Sequence, residues 1–265
     1  MFDNGAIIKL ITKLHLGPFI QKRYLPPGTR ATLKLIPMQD EFLLTRGADA
    51  AVATYGVYIK SIKARVRSVK LDPQLMQQIK MNLQRSPAIY PTPILSMATQ
   101  LIPNGGMNWE WDNLFDGKVP KLPTYAIVSN AAFNGSVSHN PFYYRNLDIR
   151  STRIKVDGNL IVPKVKTNFA LKDWNEALVQ ILKATNDKSC LLNSHTWDVK
   201  NIWAFDLTPK GTHALTEYYP AKTGNLRIEL EFSTAIADGP YTIIFYGLVD
   251  SVSEVDALGN VTKSW

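Results

Sequence analysis

The heptapeptide Leu226–Phe232 alternates without a break: Leu226, Ile228, Leu230 and Phe232 fall in one phase, Arg227, Glu229 and Glu231 in the other. A period of two puts the apolar set on one face of a β-strand and the charges on the opposite face. A chain with such a segment must build a sheet with one dry face and one wet face, and a second layer must cover the dry face.

The same period recurs along the chain. Ala31, Leu33 and Leu35 oppose Arg30, Thr32 and Lys34, which predicts a half-buried strand over Thr29–Pro37, and Glu41–Thr45 reads as the next short strand. Ala48–Thr54 is weakly patterned and reads as a loop. Tyr55–Leu71 is the longest strand candidate: Ile62, Ala64 and Val66 alternate with Lys63, Arg65 and Arg67, while Val57 and Ile59 keep the other phase, which implies a bulge near Lys60-Ser61. Further strands are expected at Ile94–Ile102 between two prolines, Tyr125–Val128, Leu147–Asp157, Leu160–Val162, Ile202–Leu207 and Tyr241–Val249. Asp157-Gly158-Asn159 is the clearest hairpin turn. Tyr241–Val249 is almost continuously apolar, as a strand buried on both faces would be, and Val261–Trp265 reads as a last edge strand.

Two helices interrupt the strands. Asp72-Pro73 supplies an N-cap and a first-turn proline, with Leu75, Met76, Ile79 and Leu83 on one face and Pro87 as the stop. Asp173–Ala184 carries Trp174, Ala177, Leu178, Ile181 and Leu182 at helical spacing, followed by a polar loop over residues 185–200. Ten to twelve strands with two helices, and no regular helix–strand alternation, predict an all-β antiparallel jelly-roll sandwich with its helices carried in loops. The expected division is a short N-terminal segment, 1–28, ahead of the jelly-roll domain, 29–265.

The residue types point away from catalysis. His15, His139, His195 and His213 are followed two positions on by Gly17, Pro141, Trp197 and Leu215, so none begins the His-x-Asp/Glu pair of an iron-binding jelly roll. The single cysteine, Cys190, rules out an intrachain disulfide and a thiolate cluster. No enzyme activity and no cofactor are expected. No apolar run reaches the eighteen or so residues of a membrane span, and the N-terminus lacks the features of a signal peptide, so the chain reads as soluble and not secreted. A net charge of +8 permits contact with nucleic acid without indicating it. The densest basic stretch, Lys60 to Lys70, interleaves its charges with apolar residues and reads as a solvated strand face.

Large aromatics gather in expected loops. Trp109, Trp111 and Phe115 lie in Met107–Phe115, and Phe142, Tyr143 and Tyr144 follow the Asn-Gly and Asn-Pro turn signals of the stretch after Val128. Loops so rich in aromatics favour a subunit interface. The other reading is an aromatic platform that stacks on glycan.

Several segments resemble one family in order and spacing: Leu122–Phe142 with its AFNG and NPF elements, Phe205-Asp-Leu-Thr-Pro209, Asn225–Phe232, and the opening Lys13-Leu-His-Leu with Arg23-Tyr-Leu. Together they resemble the C-terminal part of the hexon-type major capsid protein of Maverick/Polinton elements and adintoviruses. The resemblance implies a double jelly-roll lineage whose subunits form homotrimers and, with other capsid proteins, tile an icosahedral shell assembled inside the host cell. It carries over no catalytic residue. The region ahead of Lys13 is about a dozen residues, and the strand count is below the roughly sixteen of two eight-stranded rolls. A complete capsomer, a truncated copy and a host-retained copy are the expectations compatible with that.

Overall fold

The computed structural model describes residues 7–14, 19, 23–44, 56–185, 201–209, 211 and 222–264. The loops expected at Ala48–Thr54 and beyond Thr185, and the residues Cys190, His15, His195, His213 and Trp265, lie outside them.

In chain order the elements begin with helices α1 (Asp40–Leu43) and α2 (Pro73–Arg85) and strands β1 (Ala88–Pro91), β2 (Ile94–Ile102), β3 (Asn108–Trp111), β4 (Lys118–Val119) and β5 (Leu122–Ser129). Then come α3 (Asn130–Asn134), β6 (Ile149–Val156), β7 (Asn159–Lys166), α4 (Asn175–Thr185), β8 (Trp203–Ala204) and β9 (Lys222–Thr223). The chain closes with β10 (Leu226–Phe232), β11 (Tyr241–Val249), β12 (Val252–Val255) and β13 (Val261–Ser264). The result is a mixed structure in which antiparallel sheets dominate and helices occupy the connections.

Two four-stranded antiparallel sheets, ordered β2-β11-β5-β8 and β3-β10-β6-β7, enclose the core. Their eight strands pair in a nested way. In chain order the first pairs with the eighth (β2 with β11), the second with the seventh (β3 with β10), the third with the sixth (β5 with β8) and the fourth with the fifth (β6 with β7). The fourth–fifth turn is the Asp157-Gly158 hairpin, where both residues take positive φ (51° and 79°), as a type I′ turn requires. A three-stranded sheet, β1-β12-β13, and the short pair β4-β9 complete the described strands.

Aromatic side chains knit the sheets. Tyr125 on β5 stacks on Trp203 of β8 with centroids 5.6 Å apart, lies 5.3 Å from Phe245 of β11, and is 6.4 Å from Phe205. Its hydroxyl reaches Thr152 Oγ1 on the opposite sheet at 2.7 Å. Burial raises the Tyr125 pKa well above the usual phenol range, with the Thr152 hydrogen bond opposing the shift. Trp174, Ala177, Ile181 and Ala184 bury the inner face of α4 and its approach.

Strand β10 has the burial its alternation demands: every apolar residue is buried and every charged one half-buried. Helix α2 begins where expected, with Asp72 accepting a hydrogen bond from Gln74 N at 2.9 Å.

Other expectations are corrected. Residues 29–37 form no strand, and Leu33 and Leu35 stay 38% and 51% exposed. Asp40–Leu43 is a helical turn where a strand was expected. Residues 56–71 form no strand: Val57 N donates to Asp40 Oδ1, and among the described residues 58–71 make no backbone hydrogen bond. Alternation sorts side chains onto two faces, but a strand also needs a partner's N–H and C=O groups, and these segments pair with no strand among the described residues. Finally, β11 is dry on one face only, since Tyr246 on its outer face is 39% exposed.

Candidate interaction surface

The six aromatics expected at an interface fall into two groups. Trp109 and Trp111 belong to strand β3, not to a loop, and pair opposite Leu230 and Ile228 of β10. Being two residues apart they share a face, in T-shaped contact with centroids 6.2 Å apart. Trp111 also meets Phe245 edge-on at 5.7 Å, and both indoles pack against the core while staying half-buried. Phe115 is 7% exposed and fills the space beside Gly247, where an added Cβ would sit 2.8 Å from its ring. These three side chains cover the mouth of their own sandwich.

Phe142, Tyr143 and Tyr144 sit in the loop beyond α3. Ser129 caps that helix by accepting from Ala132 N at 3.3 Å, and Gly135 ends it with φ of +95°. The loop then turns tightly: Asn140 Oδ1 accepts from Phe142 N at 2.9 Å, and Asn140 O accepts from Tyr143 N at 3.1 Å. Arg145 N donates to Ile127 O at 2.7 Å and so ties the loop to β5. The fixed backbone leaves Phe142 67% exposed and Tyr143 48% exposed. Phe142 meets the Phe42 ring of α1 in a T-shaped arrangement with centroids 6.2 Å apart, and Tyr143 carries the Arg145 guanidinium 4.5 Å above its ring. Tyr144 is half-buried. Burial raises its pKa, and the neighbouring Tyr246 of β11 adds to the shift.

The sequence reading missed the outer face of the β2-β11-β5-β8 sheet. Leu95, Met97 and Leu101 on β2 are 62%, 61% and 49% exposed, and Met97 lies directly across from Tyr246. Ile94–Ile102 holds no charged residue and is apolar in both phases, which was the available signal.

The outer face of the other sheet is the reverse. Glu229 accepts from Lys155 Nζ and Glu231 from Lys164 Nζ, each at 2.6 Å, with Arg153 and Arg150 within 3.6 and 3.7 Å. Arg227 joins Glu110, Asp112 and Glu229. The hydrogen bonds from Lys155 and from Lys164 and Ser151 hold Glu229 and Glu231 below the usual carboxylate pKa. One sandwich face is thus a solvated lattice of charge, and the other is largely apolar.

Among the described residues, no cluster of His, Cys, Asp and Glu is placed to hold a metal ion, and no helix is long and apolar enough to cross a membrane. No family model and no curated protein matches the sequence. Solved structures of viral capsids are distantly similar. The mavirus major capsid protein is 11% identical over 68% of this chain and 41% of that one, with a TM-score of 0.35. A chain of the PBCV-1 virus capsid is 10% identical over 74% and 55%, with a TM-score of 0.42. A chain of the Sputnik virophage is 12% identical over 68% and 39%, with a TM-score of 0.40. The chain therefore spans between about two fifths and just over half the length of these three.

Proposed function

We propose that the chain is a capsid-type structural subunit, built on a jelly roll, that self-associates into trimers contributing to an icosahedral shell. The nested strand pairing supports the jelly-roll part. A chain whose first and eighth, second and seventh, third and sixth, and fourth and fifth strands pair is one long hairpin rolled up, which is how two Greek keys share a double sheet. The family resemblance of the sequence supports the lineage, and its segments Leu122–Phe142 and Asn225–Phe232 fall on β5 with its following loop and on β10.

The observation that carries self-association is the open apolar surface. Leu95, Met97, Leu101 and Tyr246 form one patch on an outer sheet face, and Phe142 and Tyr143 stand exposed on a hydrogen-bonded loop. A polar face is the usual companion of a single antiparallel sandwich in water, and this chain has one on the opposite sheet. The glycan-platform reading loses its strongest residues, because Trp109 and Trp111 face the core.

Negative-stain electron microscopy of the purified protein tests the proposal. Three-lobed particles, with curved sheets or shells at higher concentration, are expected. Dispersed particles the size of one chain would reject it.

A further inference from the structure

The four edges of the two main sheets are defended unequally. Strand β8 is two residues long and α4 packs beside it. Strand β7 has Pro163 and Lys164 within it and an irregular register, and its Lys166 N–H is taken by Glu176. Strand β3 is four residues long and carries Glu110. Short length, proline, lysine, bulges and a covering helix are the usual devices that stop an edge from recruiting another strand. Strand β2 has none of them. It runs nine residues, its flanking prolines lie outside it, it carries no charge, and among the described residues no backbone hydrogen bond is made on its outer side.

The same chain holds a strand-like segment that pairs with no strand among the described residues. Ile62, Ala64 and Val66 alternate with Lys63, Arg65 and Arg67, and Ile62 and Val66 are 59% and 79% exposed. We infer that residues 57–71 of one copy add as a strand to the free β2 edge of a neighbouring copy. The inference deepens the self-association reading and rests on it.

Strand addition supplies the backbone partners that both segments lack. Placed with Ile62, Ala64 and Val66 in the same phase as Leu95, Met97 and Leu101, the arm widens the apolar face. Area identifies the occupant as a whole copy rather than a free peptide. Nine residues span about 30 Å along an edge about 10 Å thick, so pairing alone buries about 600 Å² in all. A stable interface needs about 1,200 Å² or more, so the neighbour's body must also cover the β2-β11 face.

Two variants test this in complementary ways. Arg65→Pro/Val66→Pro removes two strand donors at positions that make no backbone hydrogen bond among the described residues. Met97→Lys/Thr99→Lys charges the edge at exposed outward positions. Each alone should raise the concentration needed for assembly at least tenfold while leaving circular dichroism unchanged. An equimolar mixture should form 1:1 heterodimers, because an intact arm and an intact edge remain on different copies. In the wild-type assembly, hydrogen exchange at β2 should slow at least tenfold relative to dilute protein, a readout that needs no variant. Wild-type-like assembly by either variant would overturn the arm-to-edge pairing and leave self-association standing. So would a mixture that stays monomeric. A wild-type protein that never assembles would remove both.

Discussion

The Tyr125 hydroxyl lies 2.7 Å from Thr152 Oγ1, and the pair is buried between the two main sheets. It is a polar link across an apolar core, made by residues on the third and fourth strands of the rolled hairpin. Removing one partner leaves the other hydroxyl buried without its hydrogen bond, which costs more than removing both. Tyr125→Phe should therefore destabilise by about 1–3 kcal/mol, and Thr152→Val by a similar amount. The double variant should recover part of the sum, a positive coupling that urea titration of all four proteins measures.

Core and surface apolar residues should separate cleanly. Leu230 is 2% exposed at the centre of β10, and Leu230→Ala should cost about 2–5 kcal/mol in denaturant unfolding. Met97 is 61% exposed on the outer face of β2, so Met97→Ala should change the stability of the single copy by no more than about 0.5 kcal/mol. Equal losses would mean that the inner and outer faces are wrongly assigned.

The charged face carries a pH signature. Glu229 and Glu231 titrate below the ordinary value of 4.5 in the folded chain, because Lys155, Lys164 and Ser151 hydrogen-bond their ionised forms. Their contribution is fully present above that value and is lost as pH falls through the lower folded pKa. Stability should fall more steeply between about pH 5 and pH 3 in the wild type than in Glu229→Gln/Glu231→Gln. Parallel acid-unfolding curves would contradict this.

Local signals in the sequence located local structure. The alternation of Leu226–Phe232, the Asp157-Gly158 turn and the Asp72 cap each need only a few neighbouring residues, and each stands as read. Alternation at residues 29–37 and 56–71 misled, because a strand exists only where a partner offers hydrogen bonds. Gly105-Gly106 and the acid between Trp109 and Trp111 give this stretch the look of a loop. Their pairing with β10 joins positions more than a hundred residues apart and leaves no local trace. The apolar face of β2 was hidden for a different reason. Ile94–Ile102 is apolar in both phases, so no pattern tells its inner side from its outer one.

Sedimentation velocity over a concentration series up to tens of micromolar tests the central claim most directly, with wild type compared against a Met97→Ser/Phe142→Ser/Tyr143→Ser variant. All three substituted side chains are about half exposed or more, so the variant should keep the wild-type circular dichroism spectrum. The account predicts that the wild type sediments as a trimer or larger and the variant as a folded monomer. A wild type that remains monomeric throughout the series, or a variant that assembles as the wild type does, would contradict it.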